Sequence, residues 1–221
     1  MTITWDTVGT AGLQFFGQMS ASNSHEIKNV LAIINENAGL LEDLMLMVDK
    51  GVALDPQRLK SLARKLAEQT RRADQIVKKM NQFAHSVDYP VKSVDLNEIL
   101  DLMMALTGRL ATMRNVNLEL KASAAPVTLT TSPFFLMNLV WLCLDFAMNA
   151  TAPGRPVLLA PEKTAQGANL RFSGLERLAQ QLGSEFPAER EKRLLRGLKA
   201  QLSADAAAQE ILLCLPAMID G

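Results

Sequence analysis

The chain has 221 residues, enough for one large domain or two small ones, each with its own core. Apolar residues make up 48% and charged residues 21% of it, an ordinary globular composition. Lys plus Arg (23) equals Asp plus Glu (23), which argues against a general attraction to nucleic acid or an acidic membrane and leaves recognition to local features.

The first ten residues carry no structural signal beyond that of a flexible terminus, and they lack the basic cluster and apolar core of a signal peptide. A helix is expected from near Thr10 to Lys50-Gly51, where the glycine would supply a C-terminal cap. Within it Ile27, Leu31, Ile34, Ala38, Leu41, Met45 and Val48 follow at alternating steps of four and three. That is the seam of a helix in a coiled-coil-like bundle. Asp55-Pro56 reads as an N-cap with proline at the first helical position. The second helix carries its own seam: Leu59, Leu62, Leu66, Gln69, Ala73, Ile76, Met80 and Phe83. It ends before Tyr89-Pro90, because a residue preceding proline is pushed out of the helical region. The short linker makes an antiparallel hairpin. Two amphipathic helices cannot enclose a core alone, so two hairpins are expected to pair as a homodimeric four-helix bundle. Gln69 interrupts its seam and is a candidate for fixing register.

After Pro90 the pattern changes to that of an α+β domain, giving a division into residues 1–90 and 91–221. A helix starts near Asp95 and runs through Leu110. Val116–Leu120 alternates like a strand, and Val127–Thr130 reads as its hairpin partner. A helix from about Pro133 to Ala150 contains the longest apolar stretch. Asn138 and Asp145 interrupt that stretch, which is too short and too polar to cross a membrane, so a soluble, cytoplasmic protein is expected. Cys143 and Cys214 lie far apart in apolar runs with no metal-ligand spacing around them; buried reduced thiols and no metal site are expected. Strands are expected at Pro156–Leu159, Ala168–Phe172 and Glu210–Leu215, and helices at Leu175–Leu182 and Ala188–Leu202. The methionines at helical spacing, such as Met45, Met80 and Met103, read as core. His85, and the basic run from Arg190 to Lys199, read as solvated surface.

Chemistry concentrates in Ser24-His25-Glu26-Ile27-Lys28-Asn29. With Ile27 and Leu31 on the seam, His25 falls on the outer face, Asn29 stands one turn above it, and Glu26 is its neighbour. Imidazole is a good phosphoryl acceptor near neutral pH because one ring nitrogen is unprotonated and nucleophilic. A carboxylate beside it can hold the other N–H and select the reactive tautomer. An amide one turn away can orient a hydrolytic water.

The segment from Phe16 through Ser24-His25-Glu26-Ile27-Lys28-Asn29 resembles the phosphoacceptor box of histidine kinases, which lies on the first helix of a two-helix dimerisation domain. The resemblance implies His25 as phosphoacceptor and Glu26 as its acid/base partner. It also implies Asn29 as the residue that positions water for hydrolysis on a partner receiver domain. Val30 stands where the family commonly has proline.

From Ser93 onward the chain resembles the family's ATP-binding α/β sandwich, most weakly between about residues 155 and 205. Thr131-Ser132-Pro133 and the following helix look like the family's N box, and Ile211–Pro216 like its last strand. The groups that hold nucleotide are missing. Leu142 and Phe146 stand where the resemblance places the magnesium- and phosphate-binding asparagines, while Asn138, Asp145 and Asn149 lie on other phases of that helix. Arg171-Phe172-Ser173-Gly174-Leu175-Glu176 lacks the adenine-reading aspartate. Gly183-Ser184 and Arg196-Gly197 offer isolated glycines where a Gly-rich lid would cradle phosphate. The resemblance therefore implies a degenerate ATPase-like domain without cofactor. The favoured function is a histidine phosphotransferase, relaying a phosphoryl group between response-regulator receiver domains through His25. A receiver phosphatase using Asn29 and Glu26, and a non-catalytic pseudokinase that regulates a receiver or kinase by binding, are the alternatives. An active kinase is the weakest reading. Arg64-Lys65 and Arg71-Arg72 are either a solvated face or a complement to an acidic receiver surface.

Overall fold

The computed structural model describes residues 5–182 and 186–219, with side chains from residue 9 onward. The expectation placed on Gly183-Ser184, and that for the first four residues, lie outside them. The fold is α+β: among the described residues are two long helices, α1 (Trp5–Asp49) and α2 (Pro56–Ala84), a short 3-10 turn at His85–Val87, then four α-helices and seven strands. It divides into two compact units. One is Ser20–Gln82; the other combines the chain up to Met19 with everything from Phe83 onward.

The unit Ser20–Gln82 is a helical hairpin whose connection follows the expected cap chemistry. Gly51 has φ +84. Its N–H donates to the Val48 carbonyl (2.8 Å) and that of Val52 to the Met47 carbonyl (3.0 Å), a Schellman ending of α1. Asp55 caps α2 by accepting the Gln57 N–H at 2.9 Å, with Pro56 in the first turn. Val30 and Leu44 of α1 and Leu62 of α2 are the buried apolar side chains of the hairpin. They alternate with buried Ser22, Asn23 and Asn37; the Asn37 amide donates to the Ile33 carbonyl (2.7 Å). The anticipated α1 seam is a different stripe. Leu31, Ala38, Met45 and Val48 are exposed in the single chain, and Ile27, Ile34 and Leu41 are half-buried.

In the other unit α3 (Leu96–Met113) and α4 (Pro133–Asn149) pack against each other and against a sheet. That five-stranded sheet has the order β2 (Asn117–Leu120), β4 (Pro156–Thr164), β5 (Gly167–Ser173), β7 (Glu210–Pro216), β6 (Gln201–Asp205). β2 and β4 are parallel, the remaining pairs antiparallel. Register puts Leu159 opposite Phe172 and Phe172 opposite Ile211, Pro161 opposite Leu170 and Leu170 opposite Leu213. The face that these residues share is thus apolar, as the period of two dictates. The Phe83 ring closes the start of this unit: it lies edge-on to Phe15 and stacks on Phe16, both at 5.3 Å, and sits 6.1 Å from Phe134. Two short helices, α5 (Leu178–Gln181) and α6 (Glu189–Gly197), complete it, and α6 packs on α4.

Three sequence expectations need correction. Val127–Thr130 does not form a hairpin with Val116–Leu120: β2 pairs parallel with β4, and β3 (Thr128–Thr131) pairs antiparallel with β1 (Lys92–Asp95), a strand not anticipated. Alternation marks a strand but does not name its neighbour. Here the Asp95 carboxylate decides, capping α3 through the Asn97 N–H (3.0 Å) while accepting from the Val127 N–H (3.1 Å). The helix expected up to Leu202 stops at Gly197. Lys199 turns left-handed (φ +51) into the edge strand β6, which was missed. The helix expected over Leu175–Leu182 is a single turn, Leu178–Gln181.

Candidate functional site on the helical hairpin

The site is built on an uninterrupted stretch of α1. No glycine or proline falls between Gln18 and Ala38, so the 3.6-residue repeat holds His25 and Asn29 on one face. Both are exposed. Val30, 1% exposed, anchors the opposite side against the hairpin interior, which fixes the rotation of the helix. Among the described residues no hydrogen bond or ion pair engages His25, so its imidazole is open to an incoming group.

Glu26 does not hold His25. Its carboxylate accepts from the Arg72 guanidinium on α2. The two side chains are 23% and 52% exposed, so the pair is worth only about 0.2–1 kcal/mol. The structure therefore brings His25 and Asn29 together on one surface and ties Glu26 across the hairpin. Arg72 was legible in sequence only as part of a basic cluster. The missing signal was register: which α2 residue stands beside Glu26 is set by how the two helices are offset in the hairpin, and no local pattern gives that offset. Gln69, the polar interruption of the α2 seam, is half-buried, and its Oε1 has no hydrogen-bond partner among the described residues.

At the positions where the resemblance places nucleotide-binding asparagines, Leu142 and Phe146 are buried, and Phe146 stacks on Phe186 at 3.9 Å with rings nearly parallel (7°). Asp145 is committed to Arg114, 2.6 Å away. Asn138 is buried and Asn149 exposed. Two aromatic rings thus fill the space beside α4. Deeper in α4, burial first, and then the charge of Glu191 on α6, push the Cys143 thiol well above its ordinary range. Cys143 is therefore an inert core thiol. Glu191 is 1% exposed and accepts from Arg190 Nε at 2.6 Å. Arg196 of the basic run pairs with Glu189 at 2.6 Å. His85 Nδ1 lies 2.8 Å from the Asp88 carboxylate, both exposed. No group of three or more potential metal ligands occurs among the described residues, and none of their helices is long and apolar enough to cross a membrane.

No protein-family model matches the chain, and no curated protein matches it. Solved structures do. The histidine kinase AdeS of Acinetobacter baumannii is 12% identical, with 87% of this chain and 98% of that one covered, at a TM-score of 0.47. A histidine kinase from Burkholderia phymatum is 19% identical over 87% of this chain and 99% of the other, at 0.44. Histidine kinase ThkA, solved in complex with the response regulator protein TrrA, is 15% identical over 93% of this chain and 63% of that one, at 0.47. At this level of likeness, function has to come from the chain's own residues.

Proposed function

We propose that the protein is a two-component histidine phosphotransferase that relays a phosphoryl group between receiver domains through His25. The carrying observation is His25 itself: exposed, unengaged, on a rigid helix, with Asn29 on the same face and Glu26 adjacent. In the forward step the unprotonated ring nitrogen attacks the phosphorus of a phosphoaspartate. The bond from phosphorus to the aspartyl oxygen breaks, a carboxylate leaves, and a phosphohistidine remains. Transfer to a second receiver reverses these events. Neither step consumes ATP.

Two further observations support this reading. The open stripe Leu31, Ala38, Met45 and Val48 on α1 is the surface a second hairpin would cover, so the working form is a homodimer with its bundle in residues 1–90. The apolar Leu142 and the stacked Phe146 and Phe186 favour a 91–221 domain that acts without nucleotide, as a docking or dimer-stabilising element.

The exposed amide of Asn29 favours a second activity, hydrolysis of the receiver's phosphoaspartate by a water that Asn29 orients. The two are separable. His25→Ala abolishes transfer and spares hydrolysis, whereas Asn29→Ala spares transfer and slows hydrolysis by about tenfold or more. Loss of receiver phosphate with both variants unaltered from wild type would remove both activities from this site.

A further inference from the structure

The Arg72–Glu26 pair leaves the site with a contradiction: the carboxylate best placed to assist His25 is held by a cation on the other helix. We propose that Arg72 is a charge switch, releasing Glu26 to His25 when the phosphoryl group of a docked phosphoaspartate takes its place on the guanidinium. The inference rests on His25 being a phosphoryl acceptor.

The chemistry of the exchange follows from the groups. Arg72 belongs to no other hydrogen bond or ion pair among the described residues, and its side chain is half exposed. A surface ion pair of this kind is weak, so little opposes its opening. A phosphoryl group offers the guanidinium planar fork several anionic oxygens, a stronger partner than one half-screened carboxylate. Arg72 faces the helix turn that carries His25, because its partner Glu26 is the adjacent residue. The other charged group in that turn of α1 is Lys28, which is exposed, and Arg71 is exposed beside Arg72. Arg72 alone of these cations is bonded to the carboxylate. Freed, Glu26 can accept the imidazole N–H and stabilise the cation that forms as the ring nitrogen bonds to phosphorus. Until a phosphorylated partner arrives, His25 stays a poorer nucleophile and the site is protected from adventitious acceptors. Arg72 is thus a positioning residue that acts through Glu26.

The test uses the full chain, with folding of each variant checked by thermal melting. Without any receiver, the titration of the His25 ring is followed by NMR in wild type, R72Q, E26Q and the double variant. R72Q is expected to raise the midpoint of His25 by about half a pH unit or more as Glu26 turns to the imidazole. Loss of the arginine's own repulsion would also raise it, and the double variant separates the two: under the switch, most of the rise vanishes when Glu26 is also Gln. A rise that persists in the double variant, or no rise in R72Q, overturns the inference. With phosphorylated receiver added, E26Q should accept phosphate about tenfold more slowly, because the released carboxylate is what assists His25. Equal rates for wild type and E26Q, in a protein where H25A abolishes labelling, would sink the switch and leave the phosphotransferase standing. Labelling that survives H25A would sink the phosphotransferase, while the titration still decides whether Arg72 controls Glu26.

Discussion

At the scale of single residues, the site depends on what each side chain is not committed to. His25 is unengaged and exposed, whereas the other histidine, His85, is paired with Asp88. The i, i+4 relation of His25 and Asn29 was readable because it needs only local helical geometry. The tie between Glu26 and Arg72, residues 46 apart in sequence, was not, since it depends on how the two helices are registered. The cysteines make a separate prediction. Cys143 is fully buried, and burial together with Glu191 holds its thiol protonated, while Cys214 is half-buried. A thiol-reactive probe at pH 8 is expected to leave Cys143 unmodified in the native protein and to modify it only after denaturation. Labelling of Cys143 in the folded protein would show that α4 and α6 open readily.

At the scale of elements, the long amphipathic helices and their caps were plain in the sequence. Asp55-Pro56 and Gly51 supply side-chain and backbone chemistry that works within a few residues. The strand pairings were not, because β1 and β3 are brought together by Asp95, whose carboxylate bridges residues 32 apart. Two substitutions probe what holds the elements. Phe83 has no exposed surface and joins rings from α1 and α4, so Phe83→Ala should cost about 3–5 kcal/mol in denaturant unfolding. Gly167 begins β5 at φ +150, where an added Cβ would lie 2.1 Å from the Leu215 carbonyl oxygen. Gly167→Ala should therefore cost about 2 kcal/mol or more through strain and clash with β7. A loss below 1 kcal/mol would mean that the β5–β7 start relaxes freely.

At the scale of the whole molecule, the α+β class and the order of helical hairpin before sheet followed from periodicity: unbroken steps of three and four up to Phe83, and alternating strand segments between helices beyond Pro90. The compact units were less legible. Phe15, early in α1, packs with Phe83 and Phe134 and so belongs with the sheet-bearing unit, a long-range contact that no local pattern announces. The exposed stripe on α1 carries the prediction at this scale. Leu31→Glu combined with Met45→Glu should convert the proposed homodimer to monomer in sedimentation velocity without loss of helix content, because both side chains are more than 40% exposed in the single chain. A wild-type chain that sediments as a monomer would leave that stripe for another partner.

The central claim is that His25 carries a phosphoryl group that does not come from ATP. The direct measurement incubates the protein with receiver domains phosphorylated on aspartate, and separately with labelled ATP alone, and locates acid-labile label by mass spectrometry. The account predicts label on His25 from the receiver, none from ATP, and none in His25→Ala. Labelling of His25 from ATP alone, or receiver-derived label that persists in His25→Ala, would contradict it.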